Sequence, residues 1–108
     1  MRSTAEIEVT PDGFSVLHRG KEVANVSWSS VKEIFAFKLD LGTYDTIRIG
    51  LRVADDGTYY DVDEDWLGYR ALVAELERRF EIGDDWWSEV AFPAFATNRV
   101  TLWGQPGE

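Results

Sequence analysis

Apolar and polar residues alternate along most of the first sixty positions. Ala5, Ile7 and Val9 share one side of the chain while Glu6 and Glu8 take the other, a period of two that predicts a half-buried strand. After Pro11-Asp12-Gly13 the alternation resumes through Phe14, Val16 and His18. Proline presets one dihedral of that turn and glycine takes the left-handed one. Arg19-Gly20-Lys21-Glu22 makes a second turn, and the chain returns as a third strand ending near Trp28. Ser29-Ser30-Val31 is a break before a fourth strand, Lys32 to Asp40, with Phe35, Phe37 and Leu39 on one face. Leu41-Gly42-Thr43 turns the corner. In the next strand Ile47, Ile49, Leu51 and Val53 point one way, and Thr46, Arg48, Gly50 and Arg52 the other. That pattern predicts one dry and one wet face. Asp55-Asp56-Gly57 is a hairpin signal, and Thr58 to Val62 is the returning strand.

The period then changes. Trp66, Tyr69, Val73, Leu76 and Phe80 recur at spacings of three and four, with Leu72 widening the stripe. This is one apolar face of a helix. Asp63 or Asp65 is expected to cap its start, since a carboxylate there accepts the orphan amides of the first turn. Arg78 and Arg79 suit its C-terminal end, and Gly83 is the expected stop. Beyond it, Asp84 or Asp85 caps a short turn through Trp86 and Trp87 that Pro93 must end. Arg99 to Trp103 is long enough for a last strand, with Val100 and Leu102 on one side.

The expected architecture is α+β: a curved antiparallel sheet or partly open barrel of six to seven strands, with one amphipathic helix packed on its open end. A single domain over 1–108 divides into a strand meander (1–62), a helix (63–82) and an aromatic tail (83–108). No repeat or low-complexity segment interrupts it.

Composition narrows the function. The 108 residues are 44% hydrophobic, typical of a globular chain. Cysteine is absent, which excludes disulfides, thiolate metal sites and cysteine nucleophiles. The N-terminus lacks the apolar run of a signal peptide, and no stretch approaches a membrane span, so a cytoplasmic protein is expected. Net charge is −9. Residues 1–54 carry seven basic and seven acidic side chains, whereas 55–108 carry four and thirteen, so the second half holds the entire excess. Nucleic acid and anionic membrane surfaces would be repelled by it, whereas a basic protein partner would be attracted. Charge serving only solubility is the simpler reading.

The run from Gly13 to Phe37 resembles small bacterial pleckstrin-homology-like domains. The resemblance lies in a turn and two strands leading into Val26-Ser27-Trp28-Ser29-Ser30-Val31-Lys32-Glu33-Ile34. Their later strands and closing helix are similar to Thr46–Val53, Thr58–Val62 and Trp66–Phe80. Such domains are mostly recognition modules, some of which read phosphoinositides through basic loops. Here the loops at Asp55-Asp56-Gly57 and Leu39–Tyr44 are acidic or neutral, so lipid reading does not transfer. Trp87 to Asn98 is similar to a segment of small uncharacterised bacterial proteins, a resemblance that implies no site.

Few residues offer chemistry. Asp61-x-Asp63-x-Asp65 resembles the start of a calcium loop, but Trp66 and Leu72 stand where glycine and a bidentate glutamate are required. A strand end followed by a helix cap is the simpler reading. His18 is the only histidine and no nucleophile or phosphate-loop motif accompanies it, so no catalytic residue, metal or cofactor is expected. The tail aromatics Trp86, Trp87, Phe92, Phe95 and Trp103 cannot all remain exposed on a stable monomer without forming an unusually large apolar patch. Adjacent tryptophans point apart, so Trp86 and Trp87 are expected to differ in burial. The tail is therefore expected to strap the domain and to leave one edge for a partner or a second copy. These five aromatics together with Asp61, Asp63 and Asp65 are the candidate interaction residues of a non-enzymatic module, in its specific form an immunity-type inhibitor of a basic protein. The alternative is a small-molecule or enzymatic pocket between helix and sheet, walled by aromatics with Asp61, Asp63, Tyr59 or Tyr60.

Overall fold

The computed structural model describes residues 5–40, 45–83, 85–91 and 99–104. Its order is β1 (Ala5–Thr10), β2 (Gly13–His18), β3 (Lys21–Ser27), a single 3-10 turn at Trp28–Ser30, β4 (Glu33–Asp40), β5 (Asp45–Arg52), β6 (Tyr59–Asp63), α1 (Tyr69–Phe80), α2 (Trp86–Ala91) and β7 (Arg99–Gly104). The fold is α+β with antiparallel strand pairing throughout both sheets, as expected. The strands divide between two sheets rather than forming one: β1-β2-β3 and β6-β5-β4-β7, and neither closes on itself. The corner at Leu41-Gly42-Thr43 lies outside the described residues.

The β5 pattern places Ile47, Ile49 and Leu51 in the core beside Ile34, Ala36 and Val62. Across from them Leu72 and Leu76 bring the apolar stripe of α1, and Ile7, Phe14, Val16 and Val26 bring the first sheet. Trp28 and Phe80 join the two sheets through ring contacts. Phe14 lies 5.8 Å from Trp28, Trp28 lies 6.4 Å from Phe80, and Phe80 meets Trp103 of β7 edge-on at 4.6 Å. The Arg79 guanidinium sits 5.1 Å over the Trp28 ring and donates to the Pro11 carbonyl at 2.9 Å, tying α1 to the β1–β2 turn.

The opposite face of β5 is not the wet face that alternation implies. Thr46, Gly50 and Arg52 are buried there. Two causes act together. Phe35 of β4 lies across Gly50, where a Cβ would come within 2.2 Å of the ring. The charged groups are satisfied in pairs. Glu33, fully buried, accepts from Arg52 Nε on one oxygen at 3.3 Å and from Thr101 Oγ1 on the other at 3.1 Å, which Arg99 also approaches to 3.4 Å. The Arg99 guanidinium also lies 3.8 Å from the Phe35 ring centre. Buried charge is tolerated only with partners of this kind. Phe35 and Phe37 thus belong to a second, charged layer, stacked on each other at 5.8 Å, while Ile34 and Ala36 face the helix.

The helix begins later than the spacing predicts, at Tyr69 rather than near Asp63. Asp63 is the last residue of β6, and neither it nor Asp65 caps the helix. The Asp63 carboxylate accepts from the Asp65 amide at 2.9 Å, which closes a turn and not a helix. Gly68 is the N-cap, with φ +87°. It crosses β1 so closely that a Cβ would lie 2.1 Å from the Ile7 carbonyl oxygen, and the Ile7 amide donates to the Leu67 carbonyl at 2.7 Å. Gly83 does not end the helix either. Glu81 takes the left-handed conformation at φ 54°, returning Ile82 to the core edge.

Candidate functional site

Asp61 and Asp63 lie two residues apart on β6 and therefore project from the same face, where Arg48 of β5 sits between them. Arg48 Nε donates to Asp61 at 2.6 Å and its Nη1 to Asp63 at 3.1 Å, while Thr46 Oγ1 donates to Asp63 at 3.1 Å. The guanidinium also faces the Trp66 ring at 5.6 Å. Both carboxylates are consumed by this clamp, so the chain does not assemble the start of a calcium loop from them. Among the described residues no group of three or more histidine, aspartate or glutamate side chains is placed to hold a metal ion. Tyr59 packs edge-on to Phe35 at 5.2 Å, and Tyr60 lines a separate gap beside Asn25 and Val53.

The tail residues separate sharply. In α2 adjacent side chains point about 100° apart, so only one of a neighbouring pair can enter the core. Trp86 does: it is 6% exposed, among Ile49, Val73, Leu76, Ile82 and Leu102. Its indole N–H donates to Glu77 Oε2 of α1 at 3.1 Å. Trp87 is 46% exposed and hydrogen-bonds Glu64, in the turn before α1. Two neighbouring tryptophans thus engage acids at the two ends of one surface. Trp103, on the edge strand β7, is half-buried against Phe80 and packs against the core. Phe92 and Phe95 lie outside the described residues.

Between α1, α2 and the turn before α1 lie two adjoining hollows. One, of about 320 Å³, is lined by Tyr69, Arg70, Val73, Glu77 and both tryptophans. The other, of about 430 Å³, is lined by Glu64, Asp65, Tyr69, Arg70 and Trp87. Only Trp87 of the candidate aromatics and Asp65 of the candidate acids present themselves to solvent there. Glu64, Tyr69, Arg70 and Glu77 escaped the sequence reading. Tyr69 was legible only as a member of the helix stripe, and the others carried no spacing signal.

The electrostatics of this groove are distinctive. Partial burial, then the neighbouring Asp65 and Asp63 charges, hold the Glu64 carboxyl above the usual glutamate range, against the opposing effect of the Ile47 backbone and Trp87 hydrogen bonds. Burial, followed by the fields of Glu64, Asp63 and Glu77, pushes the Tyr69 phenol well above its ordinary value. The Tyr69 hydroxyl is buried and has no hydrogen-bond partner among the described residues. Three carboxylates thus direct negative potential at one buried hydroxyl.

His18 ends β2 in an exposed position, away from these elements in sequence and sheet. Among the described residues no helix is long and apolar enough to cross a membrane. Set against models of known families, against curated proteins and against solved structures, the chain matches none of them.

Proposed function

We propose that this protein is a non-enzymatic interaction module that meets a basic protein partner through the α1–α2 groove, in the manner of an immunity-type inhibitor. The observation that carries this reading is the unequal use of the paired tryptophans: Trp86 anchors α2 in the core, while Trp87 stands 46% exposed beside acids. Exposed tryptophan at a concave, charged surface is the kind of residue that dominates protein interfaces. Charge supports the same direction. The acids that line the groove, Glu64, Asp65 and Glu77, have no cationic partner within 4.0 Å among the described residues, whereas Asp61, Asp63 and Glu75 are held by arginines. Unpaired charge of one sign steers an oppositely charged protein towards the surface.

The pleckstrin-homology-like assignment belongs to this proposal. A three-stranded sheet, a further run of three antiparallel strands and a following helix agree with that pattern. β7, which returns after the helix to pair with β4, is an addition to it.

Co-purification of the tagged chain from the cells that make it tests the proposal. A stoichiometric basic protein, bound at low salt, released at high salt and lost with Trp87→Ala, is expected. Absence of any stoichiometric partner, or one retained fully by Trp87→Ala, contradicts it.

A further inference from the structure

The groove also specifies what part of a partner it accepts, an inference that rests on the interaction reading above. We infer that it is a socket for a single arginine or lysine side chain of the partner, its stem lying on the Trp87 ring and its charge reaching Glu64 and Glu77. Three independent features lead there. The hollows, about 320 and 430 Å³, have room for a long side chain of a partner. Their wall is aromatic, and a cation against an exposed indole face gains from the ring quadrupole while its methylene stem covers apolar surface. Their lining carries Glu64, Asp65 and Glu77, none of which has a cationic partner within 4.0 Å among the described residues, beside Tyr69.

One residue opposes this charge logic, and it sharpens the test. Arg70 lines both hollows, is exposed and makes no ion pair among the described residues. As a like charge at the rim it weakens the binding of any cation, so its removal tightens the site. An anionic ligand requires the reverse.

The experiment is a titration of the full chain, isotope-labelled for NMR, with the capped tripeptides Gly-Arg-Gly, Gly-Lys-Gly, Gly-Gln-Gly and Gly-Glu-Gly. The arginine and lysine peptides are expected to give saturable shifts of the Trp87 indole and of backbone amides in Glu64–Ala74. Their affinity is expected to be roughly millimolar, the scale of a one-residue contact. Glu64→Gln, which keeps an acceptor for Trp87, and Trp87→Ala are each expected to weaken binding by about three- to tenfold. Arg70→Gln is expected to tighten it by about threefold. No saturable shift with either cationic peptide, preference for the glutamate peptide, or weakening by Arg70→Gln overturns the socket. A partner that still depends on Trp87 while the cationic peptides fail removes only the socket and leaves the interaction reading in place.

Discussion

The indole N–H of Trp86 reaches across from α2 to the Glu77 carboxylate of α1 at 3.1 Å, and the ring behind it is enclosed by both helices and the second sheet. This one residue fixes the direction of α2. With Trp86 turned inward, Trp87 has no inward direction left. Exposure of Trp87 is therefore a consequence of the anchoring of its neighbour.

That dependence predicts an asymmetry between two adjacent substitutions. Trp86→Ala removes a buried ring and is expected to cost about 3–5 kcal/mol. Trp86→Phe keeps most of the volume but gives up the hydrogen bond to the Glu77 carboxylate, at about 1.5–3 kcal/mol. Trp87→Ala is expected to change stability by less than about 1 kcal/mol. Urea unfolding of the three variants checks the order, and equal losses at 86 and 87 would contradict the anchoring.

Gly50 beneath Phe35 gives a second test. A methyl group there meets the ring at 2.2 Å, so Gly50→Ala is expected to destabilise by about 1–3 kcal/mol. In a Phe35→Ala background the clash is gone, and the same substitution is expected to cost at least about 1 kcal/mol less. A double-mutant cycle with no coupling would show that the ring does not lie on the glycine.

These elements mark how far the sequence could be read. Alternation located β1 to β6 closely because each hairpin is local, and its turn residues lie next to the strands they join. The stripe from Tyr69 to Phe80 located the helix for the same reason. What stayed illegible depends on register between distant segments. Asp63 looks like a helix cap until Arg48, fifteen residues earlier, is placed beside it by β5–β6 pairing. Arg52 looks solvent-facing until Glu33 arrives on β4. The local pattern cannot tell which of Trp86 and Trp87 is the anchor, since one residue of helix phase exchanges them. The groove residues Glu64, Arg70 and Glu77 are ordinary surface charges in sequence and come to line one groove only when α2 folds back.

Glu64 makes the groove sensitive to pH in a defined direction. Its carboxyl titrates above the ordinary glutamate value of 4.5, chiefly through burial, with Asp65 and Asp63 adding repulsion and the Ile47 backbone and Trp87 side chain opposing both. The stability contributed by its neutral form is present below the unfolded value and is lost as pH rises through the higher folded one. Glu64→Gln keeps the uncharged shape at every pH. It is therefore expected to be slightly more stable than the parent at neutral pH, by less than about 1 kcal/mol for a charge only partly buried and screened by solvent. The difference should close as the pH falls to about 4. Thermal unfolding across that range checks the sign, and a variant less stable at neutral pH would contradict it.

The most direct test of the account is photo-crosslinking in living cells from a benzophenone amino acid placed at position 87, with position 23 as the control. Val23 is also exposed, at 63%, but lies on the edge strand β3 of the other sheet. The account predicts one covalent adduct from position 87, to a protein of net positive charge, and none to that protein from position 23. Equal labelling from both positions, no adduct from 87, or an acidic protein as its captured partner would contradict it.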